Sequence, residues 1–183
     1  MTVLSFRNIG LCAQYSPTGD RALRYALGLA RHHGVQLNIF SFLHDPFTGT
    51  FGAEPELAPA DRERRLVQAD QALREYYDGR LGDALDVGFR VCEGSENVEL
   101  RRCLKRGEYQ ILVMPYLDRG GRFGDLPIEE FAMRFLAPVV LVGRGRRVRY
   151  YLNPQAVILG DKLNLFKGSW RPLHSVDQSC EIG

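Results

Sequence analysis

Two hydrophobic rhythms alternate along residues 1–144 of the chain. A brief apolar run at residues 8–13 (NIGLCA) leads to Ser16 and Pro17, which read as a side-chain cap followed by proline at the first helical position. Ala22, Leu23, Ala26, Leu27 and Ala30 then recur at helical spacing until Gly34, a residue suited to closing a helix. Residues 35–42 switch to alternation through Val35, Leu37 and Ile39, the period of a strand. A loop rich in proline and glycine (DPFTGTFGAEPELAP) precedes a second predicted helix, which opens near Asp61 and aligns Leu66, Ala69, Leu73 and Tyr76 or Tyr77. Val87, Phe89 and Val91 alternate as a third strand, and Ser95 stands where it would cap a short helix through Val98, Leu100, Cys103 and Leu104 to Gly107. Residues 109–114 (YQILVM) form a continuous apolar run, the mark of a strand buried on both faces. A glycine-rich basic loop follows, then a helix starting at Asp125 or Leu126 and running through Phe131, Ala132 and Phe135, and a fifth strand at residues 138–142 (PVVLV).

Strands alternating with helices imply parallel pairing and right-handed crossovers, hence an α/β three-layer sandwich around a five-stranded parallel sheet. Residues 1–144 form this domain, and residues 145–183 form a C-terminal extension. The extension carries a weakly alternating stretch at residues 148–152 (VRYYL), then Leu163, Leu165, Phe166 and the single tryptophan, Trp170. Burying such side chains is worth about 1.5–3 kcal/mol each, so the extension is expected to pack on the domain, on a second copy or on another protein.

Composition narrows the function classes. A net charge of +2 over 183 residues is too small to argue for nucleic acid, and no apolar run approaches the length of a membrane span. The N-terminal stretch MTVLSFRNIGLCAQ lacks the charged start and long apolar core of a signal peptide, so a cytoplasmic location is expected. Cys12, Cys92, Cys103 and Cys180 are scattered without a C-x-x-C, which favours buried thiols over disulfides or a metal site. His32 and His33 stand just before Gly34, where they suit the negative end of a helix dipole better than a metal.

These elements, with the helix through Ser16, Ala22, Leu23, Tyr25 and Ala26, the strand YQILVM and the closing strand in residues 137–142 (APVVLV), resemble the universal stress protein family over about residues 5–144. The resemblance implies a strand order of 3-2-1-4-5, with a switch-point crevice between the first and fourth strands. In nucleotide-binding members a carboxylate follows strand one. The fourth strand leads there into a loop patterned glycine, two residues, glycine, nine residues, glycine and serine or threonine, whose backbone N–H groups approach phosphates. This chain departs from that pattern. Gln14 takes the carboxylate's place, and the first two motif glycines fall on Pro115 and Asp118. The loop is about three residues shorter, so its last pair maps onto Gly124 and Asp125. Proline removes a donor, and each aspartate brings negative charge toward the phosphate position.

The candidate nucleotide- or anion-binding residues are therefore Ala13, Gln14 and Ser16 after strand one, Phe42 and Met114 at the ends of strands two and four, and Arg119, Gly120, Gly121, Arg122, Gly124 and Asp125 in the loop. Turn formation, with Asp125 capping the next helix, accounts for this loop without a ligand. No cofactor is expected, with ATP or another adenine nucleotide in an altered pose as the alternative. The resemblance also implies a homodimer paired near Val139, Val140, Leu141 and Val142. Arg146, Arg147, Tyr150, Tyr151 and Trp170 are the candidate docking residues for a partner, a role that ranks above binding of single-stranded nucleic acid. No catalytic motif is legible, so the expected function is that of a non-enzymatic regulatory or accessory protein. A nucleotide-binding switch and a small nucleotide hydrolase or transferase are the alternatives.

Overall fold

Strand β1 (Asn8–Cys12) leads through helix α1 (Pro17–His33) into β2 (Gln36–Phe42), and α2 (Pro59–Leu81) carries the chain on to β3 (Val87–Cys92). After α3 (Glu96–Lys105) and β4 (Ile111–Pro115) come two short strands, β5 (Arg122–Phe123) and β6 (Leu126–Pro127). Helix α4 (Ile128–Arg134) and β7 (Val139–Val142) follow, and then β8 (Arg147–Tyr151) and β9 (Ser179–Glu181). The computed structural model of the chain describes residues 7–48, 57–82, 86–117, 121–144, 147–151 and 179–181. The large sheet has the order β3-β2-β1-β4-β7-β8-β9. Its first five strands are parallel, in the expected 3-2-1-4-5 order, and β8 and β9 add to it antiparallel.

Side-chain alternation along the central strands splits the core between two faces of this sheet. Ile111 and Val113 of β4 and Val140 and Val142 of β7 pack with Ala22, Leu23, Ala26, Leu27, Leu73 and Tyr77, so α1 and α2 cover one face. Leu112, Met114, Val139 and Leu141 pack instead with Leu100, Cys103, Phe131 and Phe135, which places α3 and α4 on the other. The continuous apolar runs of β4 and β7 follow from this double burial.

Local chemistry sets the ends of α1 as its sequence suggests. The Ser16 hydroxyl accepts from the Gly19 N–H at 3.0 Å, Pro17 begins the helix, and Gly34 ends it at φ +62°. Two other helix starts differ in detail from the sequence expectation. Helix α2 begins at Pro59, two residues before Asp61. At α3, Ser95 holds the cap position but its side chain makes no capping bond.

The larger correction concerns the loop before α4. That helix begins at Ile128, later than Asp125 or Leu126, and Asp125 does not cap it. The intervening residues form an antiparallel hairpin in which Arg122 faces Pro127 and Phe123 faces Leu126. Two causes are evident. Proline biases Leu126 toward extended backbone. Phe123 is buried against Phe131, Phe47 and Phe42 at ring separations of 4.6, 5.2 and 6.0 Å, so the hairpin is anchored by aromatic packing.

The first part of the C-terminal extension continues the sheet. β8 pairs along β7 from Val139 opposite Tyr151 to Val142 opposite Val148. The chain's own β8 thus lies along the edge of β7 away from β4. Arg147, Tyr150 and Tyr151 fall on this strand, while Arg146 and Trp170 lie outside the described residues.

Candidate functional site

Parallel strands direct their carboxyl ends to one side of the sheet, and the crossover reverses direction between β1 and β4. The crevice expected there is bordered by the loop after β1, the end of β2, and the described residues 116–117 and 121–127 before α4. Its character depends on which backbone donors are already bonded.

The loop after β1 folds tightly onto the first turn of α1. Ala13 N–H donates to the Phe40 carbonyl at 2.8 Å, and the Ser16 hydroxyl donates to Gln14 Oε1 at 2.8 Å while accepting from Gly19. The Gln14 carbonyl reaches so close to Gly19 that an added Cβ would stand 1.8 Å from its oxygen. This end of α1 is therefore filled by the chain's own groups.

The opposite wall is equally committed. Pro115 has no N–H, and the next donor, Tyr116 N–H, bonds the Val142 carbonyl at 2.9 Å. Gly121 contributes its carbonyl, which accepts from Ile128 N–H at 2.9 Å. The Arg122 guanidinium donates to the Asp125 carbonyl within the hairpin, and Gly124 N–H donates to the Pro46 carbonyl at 2.8 Å. At α4 itself, Leu126 and Pro127 stand before the first helical residue, where the loop mapping places Gly124 and Asp125. Glu129 and Glu130 occupy the first helical turn, and Tyr116 Oη donates to Glu129 Oε1 at 2.6 Å. Their negative charge suits the helix dipole and opposes a phosphate at the same place.

Among the other candidates, Met114 is fully buried in the α3/α4-side core, and Phe42 packs edge-on against Phe123. Arg119 and Gly120 lie outside the described residues, as does Asp118. Cys12 is fully buried, and burial drives its thiol far above the usual range, which removes it as a nucleophile at neutral pH. Among the described residues no group of three or more histidine, cysteine, aspartate or glutamate side chains is placed to hold a metal ion. Nor is any helix among them long and apolar enough to cross a membrane.

Sequence reasoning missed an aromatic group beside the loop after β1. Tyr15 is 49% exposed, and its ring lies 4.6 Å from that of Tyr76. Tyr76 Oη donates to Asp20 Oδ1 at 2.8 Å, and the Arg80 guanidinium stacks 3.8 Å over the Tyr76 ring while bonding the same carboxylate oxygen at 3.1 Å. The Tyr77 hydroxyl is sealed from solvent beside the Gln14 backbone. A local signal existed only for Tyr15, which sits between Gln14 and Ser16, since Tyr76 and Asp20 meet only through tertiary packing.

Neither a protein-family model nor a curated protein matches the chain by sequence. Solved structures do match its fold. Universal stress protein UspA from Lactobacillus plantarum is 14% identical, with 75% of this chain and 98% of that one covered at a TM-score of 0.53. A member of the universal stress protein family from Burkholderia pseudomallei is 18% identical, with 75% and 96% covered at a TM-score of 0.50. A universal stress protein solved in complex with cAMP is 15% identical, with 77% and 99% covered at a TM-score of 0.44. The first two likenesses establish a UspA-like fold for this domain.

Proposed function

We propose that this chain, a domain with the fold of the universal stress proteins, is a regulatory or accessory protein that acts by docking and does not grip ATP through the loop between β4 and α4. One observation carries the reading. The first helical N–H of α4, on Ile128, is spent on the Gly121 carbonyl, with Pro127 before it and two glutamates after it. Donors bonded within the chain and carboxylates at the same helix end are a poor cradle for phosphate oxygens. The docking surface in this reading is the β8–β9 side of the sheet, where the antiparallel strands extend beyond β7. Its partners are a second copy of the chain or a heterologous protein, engaged near Arg147, Tyr150 and Tyr151.

The test is mass spectrometry of small molecules released on heat denaturation of freshly purified protein, followed by calorimetric titration with ATP, ADP and AMP. An empty protein with no binding heat is expected. A stoichiometric adenine nucleotide would sink the reading.

A second reading has its own support in the exposed Tyr15 ring, stacked on Tyr76 beside the crevice. An adenine base stacking there would leave its phosphates to the Arg122 side of the loop, away from the α4 terminus. Nucleotide binding abolished by Tyr15→Ala would select this alternative.

A further inference from the structure

At the amino-terminal ends of the strands, on the side of the sheet away from the crevice, the structure holds a cavity of about 440 Å³. Its position follows from two amide clamps. Asn8 Nδ2 donates to the Gly107 carbonyl at 2.8 Å, and Asn38 Nδ2 donates to the Glu108 carbonyl at 2.5 Å. Together they hold the turn between α3 and β4 over the first residues of β1, β2 and β3. Asn38 Oδ1 packs directly over Gly88, where a Cβ would stand 2.2 Å from it, so β3 needs a glycine at this point for the clamp to close.

The polar groups around this space are unequally committed. Arg90 and Glu108 form a two-point ion pair, at 2.9 Å from Nη2 and 2.8 Å from Nε. Arg106 only grazes the same carboxylate at 3.8 Å, and 61% of its side chain is exposed. Its guanidinium therefore has donors to spare. Gln36 and Asn38 also line the cavity, and neither the Gln36 side-chain amide nor Asn38 Oδ1 is engaged in a hydrogen bond among the described residues. Two guanidiniums against one carboxylate leave a single positive charge, and Glu108 in their midst repels a second negative charge on any guest.

We propose that this cavity binds a small organic monoanion: a carboxylate on a short carbon chain that also bears hydroxyl or amide groups. Arg106 takes the carboxylate, and Gln36 with Asn38 Oδ1 takes the chain's hydroxyl or amide groups. The volume falls within the range of small-molecule sites. The site is separate from the crevice, so its outcome does not depend on whether the protein binds adenine nucleotides.

The experiment titrates the full chain with gluconate, lactate, acetate and inorganic phosphate, followed by calorimetry and by saturation-transfer NMR. Saturable gluconate binding is expected, with acetate weaker and phosphate weaker still. Arg106→Ala should weaken gluconate binding by about tenfold or more, the loss of one charge-assisted hydrogen bond. Gln36→Ala should weaken gluconate while leaving acetate unchanged. Arg106 is exposed, so its replacement leaves the fold intact, as circular dichroism would verify. Absence of saturable binding by all three carboxylates, phosphate binding as tight as gluconate, or gluconate affinity unmoved by Arg106→Ala would each overturn the assignment.

Discussion

The carboxylate of Glu96, the first residue of α3, occupies the space that any side chain on Gly124 would need: an ideal Cβ there stands 1.8 Å from Glu96 Oε1. Gly124 also holds φ +60° at the hairpin turn, so it is required twice, once by backbone conformation and once by contact. Gly124→Ala should destabilise the protein by about 1–2 kcal/mol, the cost of the left-handed backbone, because the glutamate tip can swing aside. Urea denaturation of Gly124→Ala with and without Glu96→Ala separates the two effects. Recovery of all the lost stability by the second change would show that the contact, and not the backbone, was responsible.

Gly19 poses the opposite case. Its backbone is helical, so alanine there would ordinarily stabilise by about 1 kcal/mol. The obstacle is the Gln14 backbone, with its carbonyl oxygen at 1.8 Å and carbon at 2.8 Å from the added Cβ. A backbone cannot rotate away as a glutamate tip does. Gly19→Ala is expected to destabilise by about 1–3 kcal/mol and to shift the amide resonances of residues 13–16. A stabilised variant with an unmoved loop would refute the close approach.

Phe123 anchors the hairpin in its aromatic cluster. Phe123→Ala should cost about 3–5 kcal/mol if the hairpin belongs to the cooperative core. A loss below about 1 kcal/mol in chemical denaturation would mean that the hairpin is peripheral to the stability of the domain.

Alkali provides a further check. Burial weakens the Cys12 thiol and the Tyr77 and Tyr109 hydroxyls as acids, lifting each pKa well above the ordinary 9.0 and 10.0. In the unfolded chain these groups ionise near their ordinary values, whereas in the folded chain they hold their protons. The unfolded state therefore loses protons first, and stability that is complete below pH 9.0 falls as the pH rises beyond it. Urea midpoints across this range should decline, and Cys12→Ala should flatten the part of the decline below pH 10.0. An unchanged midpoint throughout would contradict the buried, protonated state.

Much of the architecture was legible because each element's periodicity admits one geometry. The Ser16-Pro17 start and Gly34 end of α1 are local chemistry, and the unbroken apolar runs of β4 and β7 imply burial on both faces. The start of α4 was misread because Asp125 is as suitable for a cap as for a turn. What excludes the cap is Phe123, whose aromatic partners Phe42, Phe47 and Phe131 come from distant parts of the chain.

The sequence by itself thus determined the alternation of strands and helices and with it the parallel pairing, since both depend on residue type and spacing along the chain. Only the tertiary structure decided what fills the crevice and where an open polar site remains. Whether Ile128 N–H meets a ligand or the Gly121 carbonyl depends on folded positions, not residue types. The same holds for the cavity at the other end of the sheet, where Asn8, Gln36, Asn38, Arg90, Arg106 and Glu108 share no motif and are assembled by strand register and one clamped turn.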